Sequence, residues 1–169
     1  MNKLIPKALI LLCLVASFIF GFSFYKNNRA SPLIGDLTLY NLNKKEIAVS
    51  EILEPGITII NFWATWCEPC KEEIPELNKF YETINKIENI HLVGIAIDEF
   101  DAINDFMKKL PIKYPVYYDE RNGFKLGVFL KNDKGVLPYT AVVDQNFNLI
   151  NQYYGKISEE DLKLLLSSK

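Results

Sequence analysis

The chain has 169 residues, of which 49% are apolar and 24% are charged, and its formal net charge is -2. This balance fits one globular domain with an added apolar segment. No run of Lys or Arg stands out after the N-terminus, so the composition argues against a nucleic-acid partner and offers no polybasic patch for lipid headgroups.

The N-terminal segment is apolar from Ala8 to Tyr25, with Lys residues on both sides. Eighteen helical residues span about 27 Å, close to the hydrocarbon thickness of a bilayer. We therefore predict a signal anchor over residues 1–25. A cleaved signal peptide is the alternative, because Gly21 and Ser23 offer a weak small-x-small site. Either segment delivers the rest of the chain to the periplasmic or extracytoplasmic side of the cytoplasmic membrane.

Polar and breaker residues follow this segment and predict a tether over residues 26–35, with Ser31-Pro32 and Gly35 as breakers. A folded domain is then predicted over residues 36–169. Its first element is a short hairpin, because an alternating stretch at 37–40 and a second one at 46–49 flank a polar turn.

The run Ile57–Trp63 is nearly all apolar and rich in β-branched residues, which is typical of a central strand covered on both faces. Apolar residues then recur at steps of three and four, which predicts an amphipathic helix from Glu68 to Lys86. Residues 90–97 form a second apolar run. A strand, a helix and a strand in this order predict a right-handed parallel crossover.

Further elements follow the second strand. We predict helices over 100–110 and 124–130 and a helix after residue 158, and strands over 115–118, 139–143 and 149–154. Pro111 ends the first of these helices. Ser158 with Asp161 three residues later forms a capping pattern for the last one.

The chain has three cysteines, of which Cys13 lies in the apolar segment and the other two form Cys67-Glu68-Pro69-Cys70 between a predicted strand and a predicted helix. A helix N-terminus carries partial positive charge and stabilises a thiolate, so we expect the pKa of Cys67 to lie below the free value of about 8.5. The thiolate is the attacking species in disulfide exchange. Cys70, one turn later and less exposed, would resolve the mixed disulfide.

The two residues between the cysteines act in opposite directions. Pro69 fits the first helical turn, where no N–H is needed, whereas Glu68 places an anion near Cys67 and opposes thiolate formation. The dipeptide therefore gives no clean indication of the reduction potential.

A structural zinc site and a cysteine hydrolase are the alternatives for this motif. Zinc needs four ligands, or three and a water, and a cysteine hydrolase needs a base. The single histidine, His91, lies inside a predicted strand. We therefore predict no metal and no cofactor other than a redox-active Cys67–Cys70 disulfide.

Residues 62–75 (FWATWCEPCKEEIP) and the stretch Leu137-Pro138-Tyr139-Thr140 resemble the TlpA/ResA/DsbE-like family of membrane-anchored thioredoxin-like proteins. The resemblance covers residues 32–168. It implies an α/β thioredoxin fold, with a mixed central sheet flanked by helices. It also implies an N-terminal hairpin extension and a central strand–helix insert at residues 90–118.

The resemblance also implies roles for single residues. Cys67 resembles the nucleophile and Cys70 the resolving cysteine, and Pro138 resembles a cis-proline that holds an extended substrate backbone beside the sulfurs. Glu73 resembles a half-buried glutamate with a raised pKa that exchanges a proton with Cys70. Asn61 cannot take this role, because an amide does not relay a proton.

Residues around the two cysteines are predicted to contact substrate. We expect Trp66 to be partly exposed as a substrate platform and Trp63 to be buried. The predicted substrate-contacting residues are Trp66, Glu68, Pro69, Leu137, Pro138 and Tyr139.

The implied activity is thiol–disulfide exchange with exported proteins. Reduction of apocytochrome c during cytochrome c maturation is favoured, with electrons from a membrane donor of the DsbD/CcdA type. The alternatives are a reductant for copper-site assembly proteins and a disulfide oxidase or isomerase. A redox-silent adaptor or metallochaperone is an alternative of a different class, and it would tolerate replacement of either cysteine.

Overall fold

The computed structural model of the protein describes residue 34, residues 37–84 and residues 89–167. Within these residues, no helix is both long enough and apolar enough to cross a membrane.

The chain divides into two units, residues 1–30 and residues 31–169. The first unit lies outside the described residues, as do the predicted anchor over residues 1–25, Cys13 and all of the predicted tether except Ile34. Their arrangement therefore stays a prediction.

A seven-stranded mixed sheet forms the centre of the second unit. Its strands are β1 (Thr38–Asn41), β2 (Glu46–Ala48), β3 (Ile57–Trp63), β4 (Ile90–Ala96), β5 (Val116–Tyr118), β6 (Tyr139–Asp144) and β7 (Leu149–Tyr154). Their order across the sheet is β2-β1-β5-β4-β3-β6-β7. β3, β4 and β5 are parallel to one another, while the other neighbouring pairs are antiparallel.

β3 lies in the middle of the sheet because its apolar residues can be covered on both faces. It pairs with β4 from Ile57↔Ile90 to Trp63↔Ala96 and with β6 on its other side. All of its residues after Ile57 are buried. The predicted central strand, the parallel crossover and the β1–β2 hairpin are confirmed.

In the part of the chain from residue 37 onward that the structure describes, four α-helices flank the sheet: α1 (Glu68–Ile84), α2 (Phe100–Lys109), α3 (Glu120–Phe129) and α4 (Glu159–Ser167). A short 3-10 helix covers Val49–Glu51. α1, α2 and α4 contribute buried residues to one apolar cluster, in which Trp63 packs on Phe106 of α2. α3 covers the other face, where Gly127 lies against the ring of Phe62.

α3 begins four residues earlier than the predicted start at Phe124. Asp119 caps it by accepting a hydrogen bond from the Asn122 N–H at 2.6 Å. The first turn is polar, so it carries no apolar periodicity that could reveal it. The prediction of α4 is confirmed, because Ser158 and Asp161 form the reciprocal hydrogen bonds of a capping box.

The predicted insert at residues 90–118 corresponds to β4, α2 and β5. β4 pairs with β3 along seven residues, so it belongs to the central part of the sheet, whereas β5 separates β4 from the N-terminal hairpin. The carboxyl end of β3 and the N-terminus of α1 meet at one edge of the sheet, and this junction carries both cysteines.

Candidate active site

Cys67 and Cys70 form a disulfide at the start of α1, as predicted, with an S–S distance of 2.05 Å and a Cα–Cα distance of 5.3 Å. A tight turn leads into it, closed by the hydrogen bond from the Cys67 N–H to Ala64 O at 3.2 Å. Asp98, just after β4, holds this turn by accepting from the Thr65 N–H at 3.0 Å and from Thr65 Oγ1 at 2.6 Å.

The sulfur of Cys67 lies at the N-terminus of α1. The Cys70 N–H points at Cys67 Sγ over 3.3 Å, so the sulfur occupies the place of an N-cap acceptor. A thiolate on Cys67 in the reduced protein would accept the same N–H and face the positive end of the helix dipole. Cys67 is 5% exposed and Cys70 is fully buried, which is the predicted order of exposure.

Glu73 is fully buried, which corrects the expectation of a half-buried side chain. Its carboxylate accepts hydrogen bonds from Asn61 Nδ2 at 2.7 Å and from the Ile157 N–H at 2.9 Å. Burial raises the pKa of Glu73 from 4.5 to about 7, although the Ile157 N–H, the Asn61 amide and the charge of Lys156 each lower it. A carboxyl group with this pKa can give and take a proton near neutral pH.

Several partners of Glu73 were not predicted from the sequence. Asn61 also donates to Thr140 Oγ1 at 3.3 Å, which links α1 to β3 and β6. Ile157, whose N–H donates to Glu73, directly precedes α4. The hydroxyl of Tyr114 is buried near Glu73. Burial and the negative charge of Glu73 both raise the pKa of Tyr114. These residues lie far from Glu73 in the sequence, and no local motif marks them.

The peptide bond between Leu137 and Pro138 is cis, as the resemblance implied. Pro138 is buried, and its carbonyl oxygen accepts a hydrogen bond from the Gly155 N–H at 2.9 Å. Leu137 is partly exposed. Their predicted contacts with substrate stay a prediction.

The side chain of Tyr139 is fully buried, which corrects its predicted contact with substrate. Its ring packs between Phe62 and Tyr154, and its hydroxyl lies against the Leu130 carbonyl and 2.9 Å from Gln152 Oε1. Because Phe62 lies against Gly127 of α3, the packing of Tyr139 on Phe62 places the tyrosine in the layer under α3.

The other predicted contact residues are accessible. Trp66 is 67% exposed, whereas Trp63 is fully buried. Glu68 and Pro69 are exposed, and Glu68 forms an ion pair with Lys71 at 2.7 Å. This pairing offsets part of the negative charge that Glu68 places near Cys67.

The described residues contain no group of three or more His, Cys, Asp or Glu side chains that could hold a metal ion. His91 pairs with Thr58 near the start of β3, at the opposite end of the strand from the cysteines. Its ring contacts Pro55 O at 3.1 Å and is distant from the disulfide in the fold.

The sequence of this chain is similar to those of known proteins. A family model described as the AhpC/TSA family matches residues 32–152. The thiol-disulfide oxidoreductase ResA of Bacillus thuringiensis (strain Al Hakam) is 28% identical over 96% of this chain and 94% of its own length.

Solved structures show the same fold. A thioredoxin-related protein from Neisseria meningitidis serogroup B has a TM-score of 0.67 and 30% identity, covering 76% of this chain and 95% of that chain. A thiol:disulfide interchange protein of the thioredoxin family from Chlorobium tepidum TLS has a TM-score of 0.63 and 26% identity, covering 82% of this chain and 98% of that chain. With its disulfide at the start of a helix and its thioredoxin-like sheet, this chain belongs to the AhpC/TSA family and is a protein thiol–disulfide oxidoreductase of the ResA type.

Proposed function

We propose that this oxidoreductase works outside the cytoplasm and reduces disulfides in exported proteins, with apocytochrome c as the favoured substrate. The observation that carries the proposal is the buried Glu73, whose pKa of about 7 lies near the working pH, three residues after the resolving Cys70. The apolar segment from Ala8 to Tyr25 supports an extracytoplasmic location.

The reaction begins with the reduced pair. The Cys67 thiolate attacks one sulfur of a substrate disulfide, which forms a mixed disulfide and releases a substrate thiolate. Ionised Glu73 then takes the proton from the Cys70 thiol, and the resulting thiolate attacks Cys67 Sγ. This second exchange releases the other substrate thiol and leaves the Cys67–Cys70 disulfide, so two electrons have passed to the substrate.

The positions of the two sulfurs fit these roles. Cys67 has the small exposed surface that an incoming disulfide needs, whereas fully buried Cys70 is accessible only from within the protein. The Cys70 N–H directed at Cys67 Sγ stabilises that sulfur as the attacking thiolate of the reduced protein. The redox group is the cysteine pair itself, and a membrane donor of the DsbD/CcdA type would return it to the dithiol form.

The proposal is tested by trapping. In the full-length chain, Cys70→Ser removes the resolving sulfur, so Cys67 should accumulate in mixed disulfides with its substrates. Mass spectrometry of the disulfide-linked complexes should identify exported proteins with paired cysteines, and Cys67→Ser should trap none.

The identity of the trapped proteins separates the candidates. Apocytochrome c supports the favoured substrate, whereas copper-site assembly proteins would replace it. Capture of cytoplasmic proteins alone would contradict the proposed location. A chain that captures no protein through Cys67 would contradict disulfide exchange with exported proteins.

A further inference from the structure

The loop before Pro138 starts at the C-terminus of α3, where backbone hydrogen bonds cap the last helical turn. After α3, the Lys131 N–H donates to Val128 O at 3.0 Å and the Asn132 N–H donates to Gly127 O at 2.9 Å. Lys131 has a φ of 74°, the left-handed conformation at which such a helix end reverses the chain. These bonds fix the backbone of Asn132 against the end of α3.

The side chain of Asn132 then binds the backbone of Val136 at two points. Asn132 Oδ1 accepts from the Val136 N–H at 3.0 Å, and Asn132 Nδ2 donates to Val136 O at 2.9 Å. Asn132 is only 2% exposed. The amide therefore presents one acceptor and one donor to a single residue, which is what the backbone of a neighbouring strand would do.

The hydrogen bond from Asn132 Nδ2 to Val136 O orients the peptide group between Val136 and Leu137. In a trans peptide, the C=O of one residue and the N–H of the next point in opposite directions. The Val136 carbonyl points at Asn132, so the Leu137 N–H points away from it. Among the described residues, no hydrogen bond engages the Leu137 N–H, and this residue is partly exposed directly before the cis Pro138.

We propose that Asn132 is a positioning residue for substrate, which holds the Val136–Leu137 peptide so that the Leu137 N–H can donate to a backbone carbonyl of an extended substrate peptide. This inference rests on the proposed function, because it assigns a peptide backbone as the ligand. Residues before a proline are restricted to extended conformations, which suits pairing with an extended peptide. Asn132 thereby favours peptide disulfides over small disulfides that have no backbone.

A comparison of two substrates tests this role. Pre-reduced protein is mixed with either a peptide closed by a disulfide between two cysteines or with Ellman's reagent, which has no peptide backbone, and oxidation of the protein is followed in a single turnover. Asn132→Ala should slow the reaction with the peptide about tenfold and leave the rate with Ellman's reagent within about twofold. Asn132→Asp should also slow the peptide reaction, since a carboxylate would face the Val136 carbonyl.

Asn122→Ala is the matched control. Asn122 lies in the same helix region and donates from its side chain to Thr38 O at 2.9 Å, but it does not touch the loop before Pro138. This variant should leave both rates unchanged. An equal loss with both substrates in Asn132→Ala, or an unchanged rate with the peptide, would overturn the role of Asn132. Failure of the wild-type protein to react with any peptide disulfide would instead overturn the proposed function.

A second measurement does not depend on an Asn132 variant. In Cys67→Ser/Cys70→Ser protein labelled with nitrogen-15, addition of the same peptide in excess should shift the Leu137 amide proton downfield and slow its exchange with solvent. A Leu137 amide that does not respond while other amides near Pro138 do would contradict the proposed hydrogen bond.

Discussion

Burial distinguishes Glu73 from the other carboxylates on α1. Glu68, Glu72 and Glu76 each form an ion pair with a nearby lysine at the surface. Glu73 is fully buried, and its two hydrogen-bond donors only partly offset the cost of ionising it. A single residue thus combines a pKa near neutral pH with a position three residues after the resolving Cys70 on the same helix.

The step in which Cys70 attacks should therefore depend on Glu73. A mixed disulfide of Cys67 with the thionitrobenzoate of Ellman's reagent can be followed by absorbance as Cys70 releases the coloured thiolate. In the wild-type protein this rate should rise with pH around an apparent pKa of about 7. Glu73→Gln should remove that inflection and slow the release by about 10²-fold at neutral pH, because the base is lost.

Glu76→Gln is the control for this measurement, since Glu76 lies one turn further along α1 and forms a surface ion pair with Lys79 at 2.9 Å. Its profile should match that of the wild-type protein. If Glu73→Gln also keeps the wild-type profile, Glu73 is not the base.

At the scale of secondary-structure elements, the ends of helices determine the site. The N-terminus of α1 carries Cys67, the C-terminus of α3 fixes Asn132, and the segment before α4 supplies the Ile157 N–H to Glu73. Free backbone N–H and C=O groups concentrate at helix ends, so these are the places where a helix can act on a neighbouring side chain.

The capping box of α4 provides a test at this scale. Ser158→Ala removes the hydroxyl that accepts from the Asp161 N–H at 3.1 Å, and it should lower the free energy of unfolding by about 1 kcal/mol. Ile157 is adjacent to Ser158 and donates its N–H to Glu73. Loosening the N-terminus of α4 should therefore also shift the pH dependence of the rate at which Cys70 releases thionitrobenzoate. Urea unfolding and the absorbance assay measure the two effects.

Ser167→Ala is the matched control at the other end of α4, where the hydroxyl only contacts Leu164 O at 3.0 Å. It should change the free energy of unfolding by less than about 0.5 kcal/mol. Equal effects of the two substitutions would contradict a specific role for the Ser158 cap.

For the whole molecule, the raised pKa of Glu73 couples folding to pH. The pKa is about 7 in the folded protein and 4.5 in the unfolded chain, so the folded state binds the proton more tightly. The stability that this group contributes is complete below about pH 4.5 and is lost as the pH rises through about 7. The loss amounts to about 3 kcal/mol for a shift of this size.

Denaturant unfolding of the oxidised protein should reveal this loss as a difference from Glu73→Gln. Between about pH 4.5 and about pH 8, the wild-type protein should lose about 3 kcal/mol relative to the variant. Other ionisable groups, such as Asp105 and Asp161 with their lowered pKa values, are common to both proteins and cancel in the comparison. If the free energy of unfolding changed equally with pH in the two proteins, Glu73 would have the same pKa in the folded and unfolded states.

Much of the architecture follows from local patterns that the sequence displays. The apolar run of β3, the periodic face of α1 and the Ser158–Asp161 cap each predicted an element that the fold contains. α3 began earlier than predicted because a side-chain cap, rather than apolar periodicity, sets its start. Tyr139 was misassigned because a residue beside Pro138 in sequence can point to the opposite layer of the fold.

The sequence by itself determined the chemistry: two sulfurs separated by two residues at the junction of a strand and a helix, with a carboxyl group one turn further on. These are short-range relations, which the spacing of residues fixes before the chain folds. Only the tertiary structure decided how strongly the carboxyl group holds its proton and which amide orients Leu137. Burial and hydrogen bonding at these sites depend on residues brought together from distant parts of the chain, and such contacts exist only once the sheet and helices have assembled.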